Sequence, residues 1–256
     1  MIIEVIGPAG SGKTTFVKKI YTFNKLFDNG EIAAFRGLLN CPEVKVHFSK
    51  ILRYIPPQIA FKLRLTRITH LYRDQLLRSS YMEELELFLS HILNVINESD
   101  LKNAEKFWLI DKFKDAITDH ILLNQDINKN RIIFIDEYLV QKILSLYYIH
   151  NSSIDISLKQ KEYLRLVPKP KAIIFLDTDI SIATNRAESR SKGRPHILKY
   201  LTEQKFIETN KRFKLIEKKI CDYLNSKYSI QIVEVKNNSK LITTLKKISM
   251  IFSSIH

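Results

Sequence analysis

The first fourteen residues constrain the fold of this chain more than any other stretch. Residues 1–6 (MIIEVI) have the length and β-branched content of a buried strand, residues 7–14 read GPAGSGKT, and the next segment has helical spacing. Glycines in such a loop open backbone conformations that are closed to other residues, and they let N–H groups approach an anion closely. The order of strand, glycine-rich loop and helix predicts a site for the phosphates of a nucleoside triphosphate.

Each residue type in this phosphate loop (P-loop) suits one part of a triphosphate. The Lys13 ammonium can reach the β- and γ-phosphates, and the Thr14 hydroxyl can join the coordination of Mg²⁺. A helix that begins near Lys13 adds the positive end of its dipole. Thr15 is the next helical residue. The predicted nucleotide-binding set is Gly7, Gly10, Ser11, Gly12, Lys13, Thr14 and Thr15.

Composition sets broad limits on the class of protein. The chain has 256 residues, 45% of them apolar, which is enough for one large globular domain or two small ones. Its net charge of +14 attracts anions, from nucleotides to nucleic acid or an anionic membrane, without choosing among them. Cys41 and Cys221 have no ligand spacing, which argues against a zinc site or a disulfide framework.

Targeting signals are missing from the sequence pattern. No apolar run reaches the roughly 18 residues of a membrane span, and the N-terminus lacks the pattern of a signal peptide. We therefore expect a cytoplasmic protein with no transmembrane segment. Peripheral membrane contact and a homodimer stay open.

Short apolar runs alternate with helical segments along the chain. Residues 131–137 (RIIFIDE), 171–177 (KAIIFLD) and 228–235 (YSIQIVEV) are predicted strands. Residues 31–37 (EIAAFRG) are a candidate second strand after a turn at 23–30, and helices are expected at about 202–225 and 239–253. This alternation predicts one parallel sheet covered on both faces, with ligands at the carboxyl ends of the strands. We expect a single domain, 1–256, in which about 42–127 form a helical insertion.

Acidic side chains follow the strand at 131–137. Asp136 and Glu137 would lie at its carboxyl end, where a carboxylate can orient Mg²⁺ opposite Thr14. Asp136 is therefore the predicted metal residue beside Thr14, and both acids are candidates for catalysis. Gln141 follows Glu137 by four residues on a predicted helical face, so its side chain points either toward the site or toward solvent.

Arginines follow the strand that ends at Asp177. Arg186 and Arg190 are four residues apart, which predicts one helical face, and Arg194 lies in a glycine- and proline-containing basic loop just beyond. Such an array can close over phosphates as a lid, at about 186–196, and neutralise charge on the transferring group. The alternative is a solvated basic face, as most charge runs are.

The P-loop, the strand followed by Asp-Glu, and the strand followed by Asp and R-x-x-x-R resemble, in that order, the nucleoside and nucleotide kinases, especially the thymidylate-kinase-like group. The resemblance implies a three-layer α/β sandwich with a five-stranded parallel sheet in the order 2-3-1-4-5, a helical acceptor region between strands 2 and 3, ATP and Mg²⁺. It also implies that adenine lies near residues 235–238. The family's catalytic lysine, LID arginines and acids match Lys13, Arg186, Arg190, Asp136 and Glu137.

The acceptor side of the resemblance is less complete. Thymidylate kinases carry Asp-Arg where this chain has Asp136-Glu137, and their Arg-Glu-Pro motif after strand 2 is missing. Arg36 is the nearest candidate there. Arg73, in the basic helix 58–79, resembles the arginine that clamps an acceptor phosphate, although an exposed basic helix explains it equally well. With Gln141 and Arg194 these arginines form the predicted acceptor set, and Trp108 is expected in the core.

Three functions are compatible with these features. The leading hypothesis is an ATP-dependent small-molecule kinase that transfers the γ-phosphoryl group to a hydroxyl or phosphate of a nucleoside, nucleotide or sugar-type acceptor. The positive charge favours an anionic acceptor. The alternatives are a P-loop ATPase switch, in which Asp136 and Glu137 activate water, and a nucleic-acid-associated ATPase. Only the charge supports nucleic acid, since no recognisable binding module accompanies it.

Overall fold

The centre of the fold is a five-stranded parallel sheet in the order β2-β3-β1-β4-β5. Its strands are β1 (Ile2–Ile6), β2 (Phe27–Asn29), β3 (Ile132–Asp136), β4 (Ala172–Asp177) and β5 (Gln231–Lys236). The order is the one implied by the family resemblance. Strands β3 and β4 lie on opposite sides of β1, so the strand order reverses direction there, and ligands bind at the carboxyl edge of such a switch point.

This computed structural model describes residues 1–20, 27–42, 69, 71–78, 80–125, 128–148, 153–190, 193–195 and 198–237, together with 243, 245, 246, 248, 250 and 252. Helices connect the strands in these ranges. They are α1 (Lys13–Ile20), α2 (Gly30–Asn40), α3 (Arg73–Leu76), α4 (Glu86–Glu98), α5 (Asn103–Leu123), α6 (Lys142–Tyr147), α7 (Leu158–Leu166), α8 (Ile180–Glu188) and α9 (Glu203–Tyr228). Within the described ranges, no helix has the length and apolar content needed to cross a bilayer.

Alternate side chains of the strands enter two apolar layers. Ile133 and Phe175 belong to the layer that contains buried residues of α2, α5 and α9. Phe134 and Ile174 face the opposite layer, where Phe16 of α1 lies. Burying such a side chain contributes roughly 1.5–3 kcal/mol, so both faces of the sheet need a helical cover. The predicted three-layer α/β arrangement is confirmed.

The prediction for the second strand is wrong. The sequence pattern favoured a turn at 23–30 and a strand at 31–37, but Phe27–Asn29 form β2 and residues 31–37 lie inside α2. The Asn29 side chain accepts a hydrogen bond from the Ile32 N–H at 2.9 Å, which caps the helix. The short apolar run therefore continues as a helix rather than a strand, since its cap and its alanines both favour that state.

Other helix boundaries also differ from the sequence pattern. Residues Ser80–Leu85 form a 3₁₀ helix before α4, and the helix after β3 begins only at Lys142. Most of the predicted basic helix 58–79 lies outside the described residues, and only Arg73–Leu76 is described as α-helix there. The predicted helices that became α5, α7, α8 and α9 are confirmed.

Helix α9 is well delimited by its end residues. The Thr202 side chain accepts a hydrogen bond from the Lys205 N–H at 3.4 Å, and Ser229 ends the helix in the left-handed conformation at φ 54°. Left-handed residues commonly end helices by satisfying their last carbonyls. This long helix packs along β4 and β5, and its inner face reaches the P-loop end of the sheet.

Gly37 tests the close packing of α2 against α5. A Cβ at this position would lie 2.1 Å from the carbonyl oxygen of Leu122. Glycine to alanine normally stabilises a helix by about 1 kcal/mol, but here the added methyl group must push α5 away. We expect Gly37→Ala to lower the free energy of unfolding by roughly 1–3 kcal/mol. Urea denaturation beside the exposed control Lys18→Ala measures this, and an increase in stability would contradict the packing.

Candidate active site

The P-loop adopts backbone conformations that require glycine. Gly10 has a φ of 88°, and a Cβ there would lie 1.8 Å from the carbonyl oxygen of Ala183 in α8. Any side chain would therefore strain the backbone and separate the loop from α8. The helix α1 starts at Lys13, as predicted, so the N–H groups of its first turn have no partner within the helix and can bind an anion.

Lys13 is folded back onto the loop. Its side chain is 8% exposed, and its ammonium donates hydrogen bonds to the carbonyl oxygens of Gly7 and Pro8. The charge is thus held beside the N-terminus of α1, where bound phosphates would compete for it. Thr15 is the next residue of the helix and is exposed.

Thr14 and Asp136 meet across the two central strands. The Thr14 hydroxyl donates a hydrogen bond to Asp136 Oδ2 at 2.7 Å. A hydroxyl and a carboxylate side by side are the oxygen ligands that Mg²⁺ uses in nucleotide sites. In the described part of the chain, no group of three or more His, Cys, Asp or Glu side chains is arranged to hold a metal. The Thr14 hydroxyl and the Asp136 carboxylate are two oxygen donors of the kind that Mg²⁺ combines with phosphate and water.

Glu137 carries backbone strain at the end of β3. Its φ is 53°, in the left-handed region that costs a non-glycine residue about 1–3 kcal/mol. The side chain is exposed and lines the same cavity as Lys13 and Asp136. Strain of this kind is kept where the backbone must direct a side chain.

A cavity of about 670 Å³ opens beside the P-loop and has three walls. The first wall is the P-loop with Asp136 and Glu137. The second wall is one face of α5. The third wall consists of Arg190, Pro195 and Leu198, which follow α8, and of Phe213 and Glu217 in α9. The polar and aromatic side chains that line it include Lys13, Thr14, Trp108, Lys112, Asp115, Asp119, Asp136, Glu137, Gln141, Arg190 and Glu217.

The wall from α5 was not predicted. Trp108, Lys112, Asp115 and Asp119 follow helical spacing, which places them on one face. The sequence favoured Trp108 as a core residue; it packs partly against the core and also lines the cavity. Burial raises the pKa of Asp119 to about 7, and the neighbouring Asp115 adds to this shift. The carboxyl of Asp119 therefore changes charge near neutral pH.

The predicted arginine pair does not share a helical face. Helix α8 ends at Glu188, so Arg190 lies beyond it, in the segment that lines the cavity. Arg186 instead donates to the Asn237 carbonyl oxygen at 3.1 Å, and the Asn237 amide donates to the Ser11 carbonyl oxygen at 2.6 Å. Arg186 thus lies where the segment after β5 meets the P-loop. Residues 191–192 and 196 of the predicted lid are outside the described residues.

Arg36 lies at the opposite end of the sheet. Its guanidinium donates to Asp28 Oδ2 at 2.7 Å and to Asn128 Oδ1 at 3.2 Å. Arg131, just before β3, is 3.9 Å from the same carboxylate, so this cluster lies toward the amino ends of the strands. The structure does not bring Arg36 to the cavity.

The other two predicted acceptor arginines are held by carboxylates. Arg73 binds Asp115 at 2.6 Å and Asp111 at 3.0 Å, both on α5. It therefore stands behind a cavity-lining residue rather than in the cavity. Arg194 is 2.5 Å from Glu188 and donates to the Leu201 carbonyl oxygen. Its guanidinium lies over the ring of Phe206 in α9. These contacts anchor the chain between α8 and α9.

Two buried glutamates stand behind the P-loop, and the sequence reading missed both. Glu217 accepts hydrogen bonds from the Gly7 N–H at 3.3 Å and the Gln141 side chain at 2.8 Å. Glu4 accepts from the Val140 and Gln141 N–H groups at 3.1 and 2.8 Å. Burial raises the pKa of Glu217 to about 7 and that of Glu4 to about 8. The acid inside the apolar run MIIEVI was the available signal for Glu4; Glu217 had none.

Gln141 reaches the site by a different route from the predicted one. The expected helical face does not exist, because α6 begins at Lys142. The turn before α6 nevertheless directs the Gln141 amide to the Gly7 carbonyl oxygen at 3.3 Å and to Glu217. It lines the cavity at the base of the P-loop.

No protein-family model matches the chain, and no curated protein matches it. Solved structures of deoxyadenosine kinase from M. mycoides are similar. The one with bound dATP has 13% identity and a TM-score of 0.49, covering 99% of this chain and 100% of that chain. The one with bound dCTP has 16% identity and a TM-score of 0.45 over the same shares.

Glu137 gives a test of the strain at the site. Glycine adopts a φ of 53° without the steric cost that a Cβ imposes. We expect Glu137→Gly to raise the free energy of unfolding by about 1 kcal/mol, whereas Glu137→Gln should leave it nearly unchanged. Urea denaturation of both variants measures this. A glycine variant less stable than wild type would show that the conformation is not strained.

Proposed function

We propose that this chain is a P-loop kinase that transfers the γ-phosphoryl group of ATP to a hydroxyl of a small, uncharged, nucleoside-type acceptor. The observation that carries the proposal is the shared cavity, in which the P-loop and the Thr14–Asp136 pair face a second wall built by α5. A phosphoryl transferase needs both a triphosphate site and an adjoining acceptor site from which water is excluded. We further propose that residues 1–256 form one domain, with the acceptor region inside 42–127 and a lid at about 186–196.

The P-loop would bind the triphosphate. Its glycine-rich backbone and the start of α1 supply N–H groups, and the Lys13 ammonium would leave its own carbonyl partners for the β- and γ-phosphates. Thr14 and Asp136 would hold Mg²⁺, which neutralises phosphate charge when bound. Arg190, on the third wall, would stabilise charge on the transferring group.

The acceptor wall favours a neutral ligand over a phosphorylated one. The guanidinium groups of Arg36, Arg73 and Arg194 are held by carboxylates of the protein, so none of them is placed as a phosphate clamp in the cavity. Asp115 and Asp119 line the wall instead, where the Lys112 ammonium lies 3.7 Å from the Asp115 carboxylate. The two acids would accept hydrogen bonds from N–H or O–H groups. Trp108 offers a flat apolar surface for a ring. The net charge of +14 alone had favoured an anionic acceptor.

Glu137 is our candidate for the carboxylate that receives the acceptor proton. Asp136 is occupied by the Thr14 hydroxyl, whereas Glu137 is exposed at the cavity rim and is directed there by a strained backbone. A correctly placed general base contributes about 10²–10⁴-fold to such a rate. Its position next to Asp136, the proposed metal ligand, would bring the proton acceptor and the phosphoryl group together.

An acceptor screen separates the kinase from the two ATPase alternatives. We expect slow ADP release from ATP·Mg²⁺ alone and a rise of at least tenfold with a pool of nucleosides, measured by a coupled ADP assay. Nucleoside monophosphates, sugars and single-stranded nucleic acid serve as comparison pools. Rapid turnover without any acceptor would contradict the kinase, and stimulation by nucleic acid alone would favour the nucleic-acid-associated ATPase.

Three variants test the proposed roles on the nucleotide side. Lys13→Ala should abolish turnover while far-UV circular dichroism remains that of wild type, because the phosphates lose their principal cation. Arg190→Met should lower kcat by about 10²-fold and raise the KM for ATP much less. Arg194→Met is the matched arginine control, since Arg194 is bound to Glu188 and Leu201; it should lower stability more than kcat. Equal kcat values for the two arginine variants would refute the assignment of Arg190.

A further inference from the structure

Helix α9 carries a polar stripe on the face that meets the sheet. Asn210, Lys214 and Glu217 are four and three residues apart, so they lie on one side of the helix. The exposed fractions of Asn210 and Glu217 are 0% and 1%. Burying polar side chains is unfavourable unless they are hydrogen-bonded, so their partners indicate what this α9 stripe does.

Asn210 and Glu217 both bind the backbone of the P-loop. The Asn210 Oδ1 accepts from the Ala9 N–H at 2.8 Å, and its Nδ2 donates to the Ala9 carbonyl oxygen at 3.0 Å. Glu217 Oε1 accepts from the Gly7 N–H at 3.3 Å. The helix therefore holds the loop at two points, two helical turns apart.

The third member of the stripe does not touch the loop. Lys214 forms an ion pair with Asp177 and donates to the Thr178 carbonyl oxygen at 3.1 Å. It thus ties the same face of α9 to the end of β4. This difference provides an internal comparison between a residue that hydrogen-bonds to the loop and one that hydrogen-bonds to Asp177 and Thr178.

These contacts divide the loop N–H groups into two sets. Gly7 and Ala9 donate to α9, and Ser11 donates to the Pro8 carbonyl oxygen at 3.0 Å. The first helical hydrogen bond of α1 runs from the Phe16 N–H to the Gly12 carbonyl oxygen at 2.8 Å. The N–H groups of Lys13, Thr14 and Thr15 precede it and are the ones that can face an anion. By fixing the first set from outside, α9 keeps the loop backbone open around the second.

We propose that Asn210 and Glu217 are positioning residues that hold the P-loop in its phosphate-binding shape. The inference rests on the proposed function only in that the loop binds a nucleotide. Both residues act through the backbone of Gly7 and Ala9. For Glu217 we attribute this effect to the side-chain oxygen that accepts the hydrogen bond from the Gly7 N–H. We do not attribute it to the negative charge, because a carboxylate near the phosphates repels them.

Nucleotide affinity tests the role of Asn210. Asn210→Ala removes both hydrogen bonds to Ala9, and we expect the Kd for ADP·Mg²⁺ from titration calorimetry to rise about tenfold. Lys214→Met, which loses the contacts to Asp177 and Thr178, should lower the unfolding midpoint yet keep the Kd within about twofold, and the exposed Lys211→Ala should change neither. A folded Asn210→Ala variant with wild-type affinity overturns the role of Asn210.

A second comparison holds charge constant and does not depend on the Asn210 variant. Glu217→Gln and Glu217→Leu both remove the carboxylate, but only Gln keeps an oxygen for the Gly7 N–H. We expect the Leu variant to bind ADP·Mg²⁺ about fivefold or more weakly than the Gln variant, and hydrogen exchange of the loop peptide to be faster in it. Equal affinities overturn the role of Glu217. A wild-type chain that binds ADP but phosphorylates no acceptor refutes the kinase alone; one that does not bind ADP overturns both proposals.

Discussion

Parallel pairing of β1 with β3 and β4 is the constraint on which the site depends. In this register Val5 lies beside Asp136, and Ile6 lies beside Phe175. The segments that leave the three strands therefore emerge at one edge of the sheet. The P-loop continues from β1, the Asp-Glu pair ends β3, and α8 follows β4, so a hydrogen bond between Thr14 and Asp136 forms although 122 residues separate them. A slip of the register would separate the P-loop from both acids.

Much of this arrangement was predictable because its signals are local. A buried parallel strand is a short apolar run, and the P-loop carries its glycines, lysine and hydroxyl in consecutive positions, so the sequence indicated β1, β3, β4 and the Thr14–Asp136 pairing. The prediction of the second strand was wrong, also for a local reason. Three residues are too few for a recognisable strand, and the cap at Asn29 turns the following apolar segment into a helix.

The acceptor side was not predictable, because its residues are chosen by tertiary contacts. An arginine in a sequence looks the same whether it faces a ligand or a carboxylate. Here Arg73 binds Asp115, and Arg194 binds Glu188, whereas Asp119 and Trp108, which were not predicted there, line the α5 wall of the cavity beside Asp115. The net charge of the chain likewise describes its surface rather than this cavity. Long-range polar contacts, such as those of Asn210 with Ala9, also produce no periodic pattern in the sequence.

The buried glutamates show that the site is maintained at the expense of stability. Burial raises the pKa of Glu4 to about 8 and that of Glu217 to about 7, both above the value of about 4.5 that a glutamate has in an unfolded chain. Between pH 4.5 and the folded-state pKa of each glutamate, the folded state binds more protons than the unfolded state. The contribution of each group to stability therefore falls as pH rises from about 4.5 through its folded-state pKa. An apolar residue would avoid this cost. Each carboxyl instead holds backbone N–H groups beside the cavity, Glu4 at the turn after β3 and Glu217 at the P-loop, which an apolar side chain cannot do.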